Sequence, residues 1–353
     1  MKILPFSGFN LFISPFWCSC CSKSFIVLLS LYLAACSSFL KESDRDPQIV
    51  NAFINKMVLT HQFDQESLSL LLKSAEIKQD VIKKVSKPAE GLSWYKYRQI
   101  FITDARINAG VKFWQENANT LALVQQQTGV PAEIIIAIIG VETLYGQHMG
   151  NYRVLDALVT LAFAYPPRSQ FFSTELEKFL LLCRDEHINP LSPLGSYAGA
   201  MGAPQFMPSS YLSYAIDFDG DGFRDIWHNN ADAIASVANY FKKHQWQTGQ
   251  EVVIPVSAVG EKYKKVLSEG LKPNLRVEEL DLVNLKTLRS LPLNTKVKLL
   301  SFEKTPTEQG SREELWVGLE NFYVITRYNH SPLYAMAVYQ LSQAILNKKG
   351  GFP

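Results

Sequence analysis

Beyond its first 36 residues the chain has almost no cysteine. Four of its five cysteines, Cys18, Cys20, Cys21 and Cys36, sit near the N-terminus, and only Cys183 follows. That distribution excludes a disulfide framework for the body of the protein. The group Cys18, Cys20 and Cys21 has no second Cys/His cluster to complete a metal site. Cys183, within "FLLLCRDE", reads as a small buried apolar residue. Zinc-binding spacings such as HExxH are missing, and so is a glycine-rich phosphate loop. A surplus of one charge is missing too: 35 Lys and Arg oppose 33 Asp and Glu, for a formal net charge of +2. With the two signs interspersed, neither a nucleic-acid footprint nor a long-range steering field is expected. The sequence also lacks internal repeats and low-complexity tracts.

What the chain does have is apolar bulk. Hydrophobic residues fill 47% of its 353 positions, ample for a full core in one large domain or two to three lobes. Lys2 and Lys23 are the only charges before "SFIVLLSLYLAAC". The apolar run Phe25 to Leu33 is too short to span a bilayer as a mature helix. It ends in Leu33-Ala34-Ala35-Cys36, which resembles the lipobox of bacterial lipoproteins. That resemblance implies a signal peptide over residues 1–35, cleavage before Cys36 and lipid on Cys36. Ser37 stands where an Asp would hold such a protein at the inner membrane, so attachment to the outer membrane, facing the periplasm, is implied. The alternative is an uncleaved N-terminal anchor helix. Residues 36–46 read as a polar tether.

The remaining pattern is mostly helical. Asp46 caps a helix with Pro47 at its first position and Ile49, Val50, Phe53, Ile54 and Met57 on one face. Asp64 caps a second helix bearing Leu68, Leu71, Leu72 and Ala75. Thr103 starts a long helix, with Ile107, Val111 and Trp114 on one side, that runs to Gly129, and Pro131 opens the next. A further helix covers Ser169 to about Glu186, residues 188–211 are loop-rich, and Asn230 caps a helix carrying Ile234, Val237, Ala238 and Phe241. From about residue 251 the texture changes. "EVVIPVSAV", "TKVKLLSFE" and "ELWVGLE" are β-branched runs that read as strands. A last helix, about Leu333 to Leu346, closes the fold. The expected class is mainly α (α+β). A helical lobe and core span 47–250, a small β-containing insertion 251–320, and a C-terminal segment, 321–353, completes the core.

One carboxylate stands out. "IIIAIIGVETLYGQHMG", residues 134–150, is almost wholly apolar with a single acid, Glu142, at its centre, and no Lys or Arg lies near it in sequence. On a helix Glu142 has Ile138 and Ile139 one turn before it and Tyr145 one turn after. Burial among such groups favours the neutral acid and raises its pKa. An acid still protonated near neutral pH can donate to the leaving oxygen of a glycosidic bond. Gly146 and Gly150 lower the bulk where a chain-like ligand could approach, and they end the helix. The competing reading is a Glu on a solvent-facing stripe, or one satisfied by backbone donors.

"IIGVETLYG", "RVLDALVTLAF", "GSYAGAMGAPQFMPSSY", "DFDGDG" and "SVANYF", in this order, resemble the lytic murein transglycosylase B family. The resemblance runs from about Tyr95 to the final helix. It implies a lysozyme-like helical core and action on the glycan strands of peptidoglycan, with no cofactor for catalysis. It implies Glu142 as the single catalytic acid. Ser196 in "GSYAG" and Gln205 in "PQFMP" would line the sugar cleft, with Tyr97 in "WYKYRQIF" near the acid. Arg168 in "YPPRS" would contact the peptide or lactyl side of the substrate. Tyr240, Tyr328, Asn329 and Tyr334 would be further cleft residues. Taken alone, each of these would read as a surface, turn or packing residue. The implied chemistry needs one carboxyl acting twice, first as acid and then as base, to leave a 1,6-anhydro sugar.

"DFDGDGFRDIWH" sets Asp217, Asp219, Asp221, Gly222 and Asp225 at positions 1, 3, 5, 6 and 9 of an EF-hand-like loop, with the Phe223 carbonyl at position 7. Position 12 departs, being His228, a poor ligand for calcium; Asn229 or Asp232 could stand in for it. The family resemblance implies a weak structural Ca²⁺ here, against the alternative of a solvated acidic turn. Two rival functions remain. A hydrolytic muramidase would need a second carboxylate about 5 to 9 Å from Glu142, for which Asp156, Glu175 and Asp185 are the candidates. A non-catalytic peptidoglycan-binding lipoprotein would keep the fold alone. Protein partners, such as cell-wall synthases, leave no mark in the sequence.

Overall fold

The computed structural model describes residues 46–86, 91–305 and 313–350. The expected signal peptide, Cys36 and nearly all of the tether lie outside the described residues. Helix α1 (Pro47–His61) starts where its cap predicts: the Asp46 carboxylate accepts from Gln48 N, and Phe53, Ile54 and Met57 are buried. Ile49, expected on that face, is exposed instead. Helix α2 (Gln65–Ser74) is capped by Asp64, which accepts from Ser67 N, and buries Leu68 and Leu72. Two short helices that the periodicity did not reveal follow, α3 (Gln79–Ser86) and α4 (Trp94–Phe101). Trp94 is buried and its Nε1 donates to Glu314 at 2.7 Å, tying α4 to the β insertion.

The long helix expected from Thr103 to Gly129 is two helices, α5 (Asp104–Glu116) and α6 (Ala118–Thr128). The break is at Asn117, whose side-chain amide donates to Phe113 O at 2.8 Å and so competes with the helical ladder. Gly129 in the left-handed region and Pro131 then turn the chain by 114° into α7 (Ala132–Thr143). This helix is the axis of the molecule. Every residue from Ile134 to Val141 is buried, which explains a composition that is apolar all round. Each buried isoleucine or valine of the run contributes about 1.5–3 kcal/mol relative to exposure. Among the described residues no single helix is both long and apolar enough to cross a membrane.

Strand β1 (Tyr152–Arg153) leads into α8 (Val154–Phe163), buried throughout, and α9 (Ser169–Asp185) packs against it. Strand β2 (Leu194–Gly195) pairs antiparallel with β1, and α10 (Pro208–Tyr214) precedes the aspartate loop. Helix α11 (Asn230–Lys243) is capped by Asn229, one residue earlier than the sequence pattern placed it, because the Asn229 side chain accepts from Ala231 N and Asp232 N.

The insertion holds β3 (Val253–Ala258), β4 (Leu275–Arg276), the single-turn α12 (Val277–Leu280), β5 (Leu285–Thr287), β6 (Lys296–Glu303) and β7 (Glu313–Gly318). The five strands form one antiparallel sheet in the order β4-β6-β7-β3-β5. Ile254, Val297, Leu299, Leu315 and Val317 on one face, with Leu280 and Leu285, make an apolar cluster separate from the main core. The three strands read from β-branched runs are present; the short β4 and β5 were not foreseen. The two ends of the insertion are clamped by buried Asn321. Its Oδ1 accepts from Gln247 N at 2.8 Å, and its Nδ2 donates to Gln247 O at 2.9 Å and Gln250 O at 2.8 Å. Helix α13 (Glu320–Tyr328), formed by "ENFYVITRY", was not foreseen, and α14 (Pro332–Lys349) returns along α7 and α5 to close the core. The whole is mainly α with a small β-containing insertion.

Candidate active site

Glu142 is the next-to-last residue of α7, where the helix emerges from the core. It keeps a part-exposed edge, while its carboxyl is closely enclosed. Its Oε1 accepts a 2.5 Å hydrogen bond from the Tyr334 hydroxyl at the start of α14. Among the described residues no lysine, arginine or second carboxylate acts on it. Burial pushes its pKa from the usual carboxylate range up to about 7, outweighing the Tyr334 hydrogen bond, which pulls the other way. Tyr97, Tyr328 and Tyr334 surround it. Burial, and then the charge of Glu142, raises the pKa of each phenol. The tyrosines therefore stay neutral donors beside the acid at ordinary pH.

The elements that hold these groups differ. Tyr97 is on α4, its ring between Trp94 and Phe101 at 6.5 and 5.1 Å. Tyr328 ends α13; its hydroxyl donates to Pro204 O at 2.6 Å and its ring stacks on Phe241 at 5.8 Å. Tyr240 is buried in the same aromatic cluster, 4.7 Å from Tyr328, with its hydroxyl donating to Arg327 O. It braces Tyr328 from behind. Asn329, directly after Tyr328, is exposed.

Ser196 and Gln205 belong to the chain reversal that follows β2. The Ser196 hydroxyl oxygen accepts from Ala200 N at 3.0 Å and Ala198 N at 3.3 Å, shaping the turn. Gln205 has a left-handed φ of 52°, and its Nε2 donates to Met149 O and Gly202 O, both at 3.0 Å. Gly150 is obligatory beside it: φ is 96°, and a Cβ there would lie 2.0 Å from Gly195 O. Thr143 was missed by the sequence reading. Its buried Oγ1 donates to Ala203 O at 2.9 Å and accepts from Gly146 N, fastening the end of α7 to this reversal. A threonine one residue after the candidate acid carries no signal by itself.

Arg168 is exposed just before α9, its guanidinium over the rings of Phe171 and Phe172 at 4.5 and 5.2 Å. None of these contacts joins it to the groups around Glu142. The three candidates for a second carboxylate are engaged elsewhere. Asp156 pairs with Arg153 at 2.8 Å and accepts from Glu76 N, and Glu175 accepts from Ser209 N and Oγ. Asp185 is exposed beside Arg184.

In the aspartate loop, carboxylate oxygens of Asp217, Asp219 and Asp221 lie within 4.8 Å of one another. Asp217 accepts from Gly220 N and Gly222 N, and Asp219 from the Asn229 amide at 2.7 Å. The Oδ1 of Asp225, expected as the ninth-position ligand, accepts from Trp227 N and His228 N, both at 2.9 Å. Asp232 is buried and accepts from Phe218 N and Asp225 N, so it does not stand in for the twelfth position. The three grouped carboxylates are an all-oxygen donor set suited to a hard cation, while the Phe223 carbonyl, expected as the seventh-position ligand, accepts from Asp225 N at 3.1 Å.

The family model for the transglycosylase SLT domain matches residues 45–343. Membrane-bound lytic murein transglycosylase B of Escherichia coli K12 is 40% identical over 362 residues, covering 92% of this chain and 98% of that protein. The crystal structure of soluble lytic transglycosylase SltB1 from Pseudomonas aeruginosa is 48% identical with a TM-score of 0.81, covering 86% of this chain and 100% of that one. Escherichia coli lytic transglycosylase Slt35 in complex with calcium is 43% identical with a TM-score of 0.79, covering 86% and 94%.

Proposed function

The chain belongs to the transglycosylase SLT family, and from that premise we propose that Glu142 is the single acid and base of its reaction. The protein is a lytic transglycosylase with a lysozyme-like core. It cleaves the β-1,4 bond from MurNAc to GlcNAc in peptidoglycan and leaves 1,6-anhydro-MurNAc ends. The neutral Glu142 carboxyl donates its proton to the glycosidic oxygen as the bond to C1 breaks. The 2-acetamido oxygen of MurNAc relieves the positive charge developing at C1. Glu142, now ionised, takes the proton of the C6 hydroxyl, and that oxygen bonds to C1. The proton balance closes and no water enters the product. The observation that carries this reading is the isolation of Glu142. Its pKa near 7 makes both the acid and the base form accessible at neutral pH, and among the described residues no second carboxylate or cation acts on it.

The same reading assigns the neighbours. Tyr334 holds the carboxyl, while Tyr97 and Tyr328 wall the sugar at the reacting bond, with Tyr240 supporting Tyr328. Ser196, Gln205 and Asn329 face the strand on either side, and Arg168 takes an acidic group of the peptide or lactyl arm. A calcium ion held by Asp217, Asp219, Asp221 and the Phe223 carbonyl would brace the start of α11; the calcium complex of Slt35 supports it. Lipid on Cys36 would tether the chain to the periplasmic face of the outer membrane, in keeping with a membrane-bound relative. The separate apolar cluster of the insertion supports a division at about residues 251 and 320.

The test is digestion of purified sacculi by the chain lacking residues 1–36, with and without Glu142→Gln. The wild type should release soluble fragments. The variant should bind sacculi and release none; turnover by the variant defeats the assignment. Retained binding with no cleavage by the wild type would instead establish a non-catalytic glycan-binding protein.

A further inference from the structure

The helix that carries Glu142 stops abruptly, and the way it stops is unusual for the residues involved. Thr143 is its last residue, and Leu144, Tyr145 and Gly146 follow with φ of 50°, 59° and 83°. Glycine adopts such angles freely, whereas a leucine and a tyrosine in succession do so only when their surroundings compel them. Part of that compulsion is a cap. Leu144 N donates to Gly140 O and Tyr145 N to Ile139 O, both at 3.2 Å, and His148 N donates to Thr143 O at 2.8 Å.

The rest is the Tyr145 side chain. The sequence places it on the face of Glu142, one turn on. With the helix ended, it folds back between α5 and α7 instead. Two glycines make the slot it fills. A Cβ at Gly140 would stand 2.6, 2.7 and 2.8 Å from the hydroxyl, Cζ and Cε1 of Tyr145, and a Cβ at Gly110 would stand 2.5 Å from the hydroxyl. Phe113 packs against the ring at 5.6 Å, and the hydroxyl donates to Arg106 O at 2.9 Å. One ring thus joins α5, α7 and the turn.

We propose that Tyr145 is a positioning residue for the reaction: seated in the Gly110–Gly140 slot, it locks the left-handed turn and so fixes where the Glu142 carboxyl points. This rests on the reading of Glu142 as the acid. Were α7 to continue, residues 145 and 146 would lie over the face that bears Glu142, three and four positions on, and crowd the approach of a strand. Ending the helix there leaves that side open. It also leaves Glu142 at the negative end of the helix dipole, which favours the neutral carboxyl. The turn is fastened through Thr143 to Ala203, so the lock also sets the spacing between Glu142 and the reversal bearing Gln205.

Gly140→Ala and Tyr145→Phe test this in the full chain, solubilised in detergent, on purified glycan strands. The alanine evicts the ring, while the phenylalanine keeps the ring and removes only the bond to Arg106 O. Gly140→Ala should lower kcat by about 100-fold, the cost of a misplacement near 1 Å, with KM within about twofold. The limb of the pH profile that belongs to Glu142 should move to lower pH. Tyr145→Phe should lose severalfold in kcat, in the same direction. A folded Gly140→Ala variant with wild-type kcat and pH limb overturns the proposal, as does a loss that falls wholly in KM. If Gly140→Ala does not fold, Tyr145→Phe decides, and unchanged kcat and pH limb there overturn it. Glu142→Gln assayed alongside keeps the premise separate, since turnover by that variant sinks the acid and not the lock.

Discussion

Glu142→Gln should change how stability depends on pH, apart from its effect on turnover. Burial raises the carboxyl from 4.5 to about 7 in the folded chain. A carboxyl that binds its proton more tightly when folded stabilises the fold fully below about pH 4.5, and that contribution is lost as pH rises through about 7. At roughly 1.4 kcal/mol per pKa unit the full shift corresponds to about 3 kcal/mol; the part-exposed edge of the residue trims this to about 2 kcal/mol. Glutamine has nearly the same shape, cannot ionise, and still offers Oε1 to the Tyr334 hydroxyl. The variant should therefore match the wild type near pH 5 and exceed it near pH 8.5, by about 4 °C in Tm for a chain of this size. Thermal unfolding of both proteins across pH 5 to 9 measures it, and effects of other titrating groups cancel in the difference. A Tm difference that does not vary with pH, or a variant less stable at pH 8.5, would mean that Glu142 is ionised and held by donors, and the reasoning would fail.

Tyr334→Phe removes the hydrogen bond that lowers the Glu142 pKa, so the pH limb should move further to alkaline as kcat falls about 10- to 100-fold, read from a kcat profile. Asn321→Leu leaves Gln247 and Gln250 without their partner at the base of the insertion; it should cost about 2–4 kcal/mol in denaturant unfolding with product chemistry unchanged. Chelation followed by calcium should lower and then restore Tm by a few degrees. The fragments released should stay the same, since the hydrogen bonds made by Asp217, Asp219 and Asp221 stay within the loop and the Asn229 cap.

Much of this was legible because the signals are local. Asp46, Asp64 and Thr103 cap the helices they announce, and the β-branched runs are strands. Glu142 stood out because an isoleucine run offers a lone acid neither water nor a counter-charge. Other elements had no local signal. Asn117 breaks a periodic pattern through a side-chain bond to its own helix, and α13 has the aromatic and β-branched texture of a strand. At the site, Tyr334 and Tyr97 come from opposite ends of the sequence, so only the fold shows which tyrosine touches the acid. Tyr240 is a case where residue type misleads: an expected cleft residue is a buried brace. Asp232 shows the same for a spacing motif, since its carboxylate is buried and taken by the backbone N–H groups of Phe218 and Asp225 in the preceding loop.

The central claim is that one buried carboxyl acts twice and that the sugar's own hydroxyl, not water, closes the reaction. Digestion of sacculi in water labelled with heavy oxygen, followed by mass spectrometry of the released fragments, tests it most directly. The account predicts 1,6-anhydro-MurNAc ends that carry no label. Reducing MurNAc ends bearing the label would contradict it and make the protein a hydrolytic muramidase.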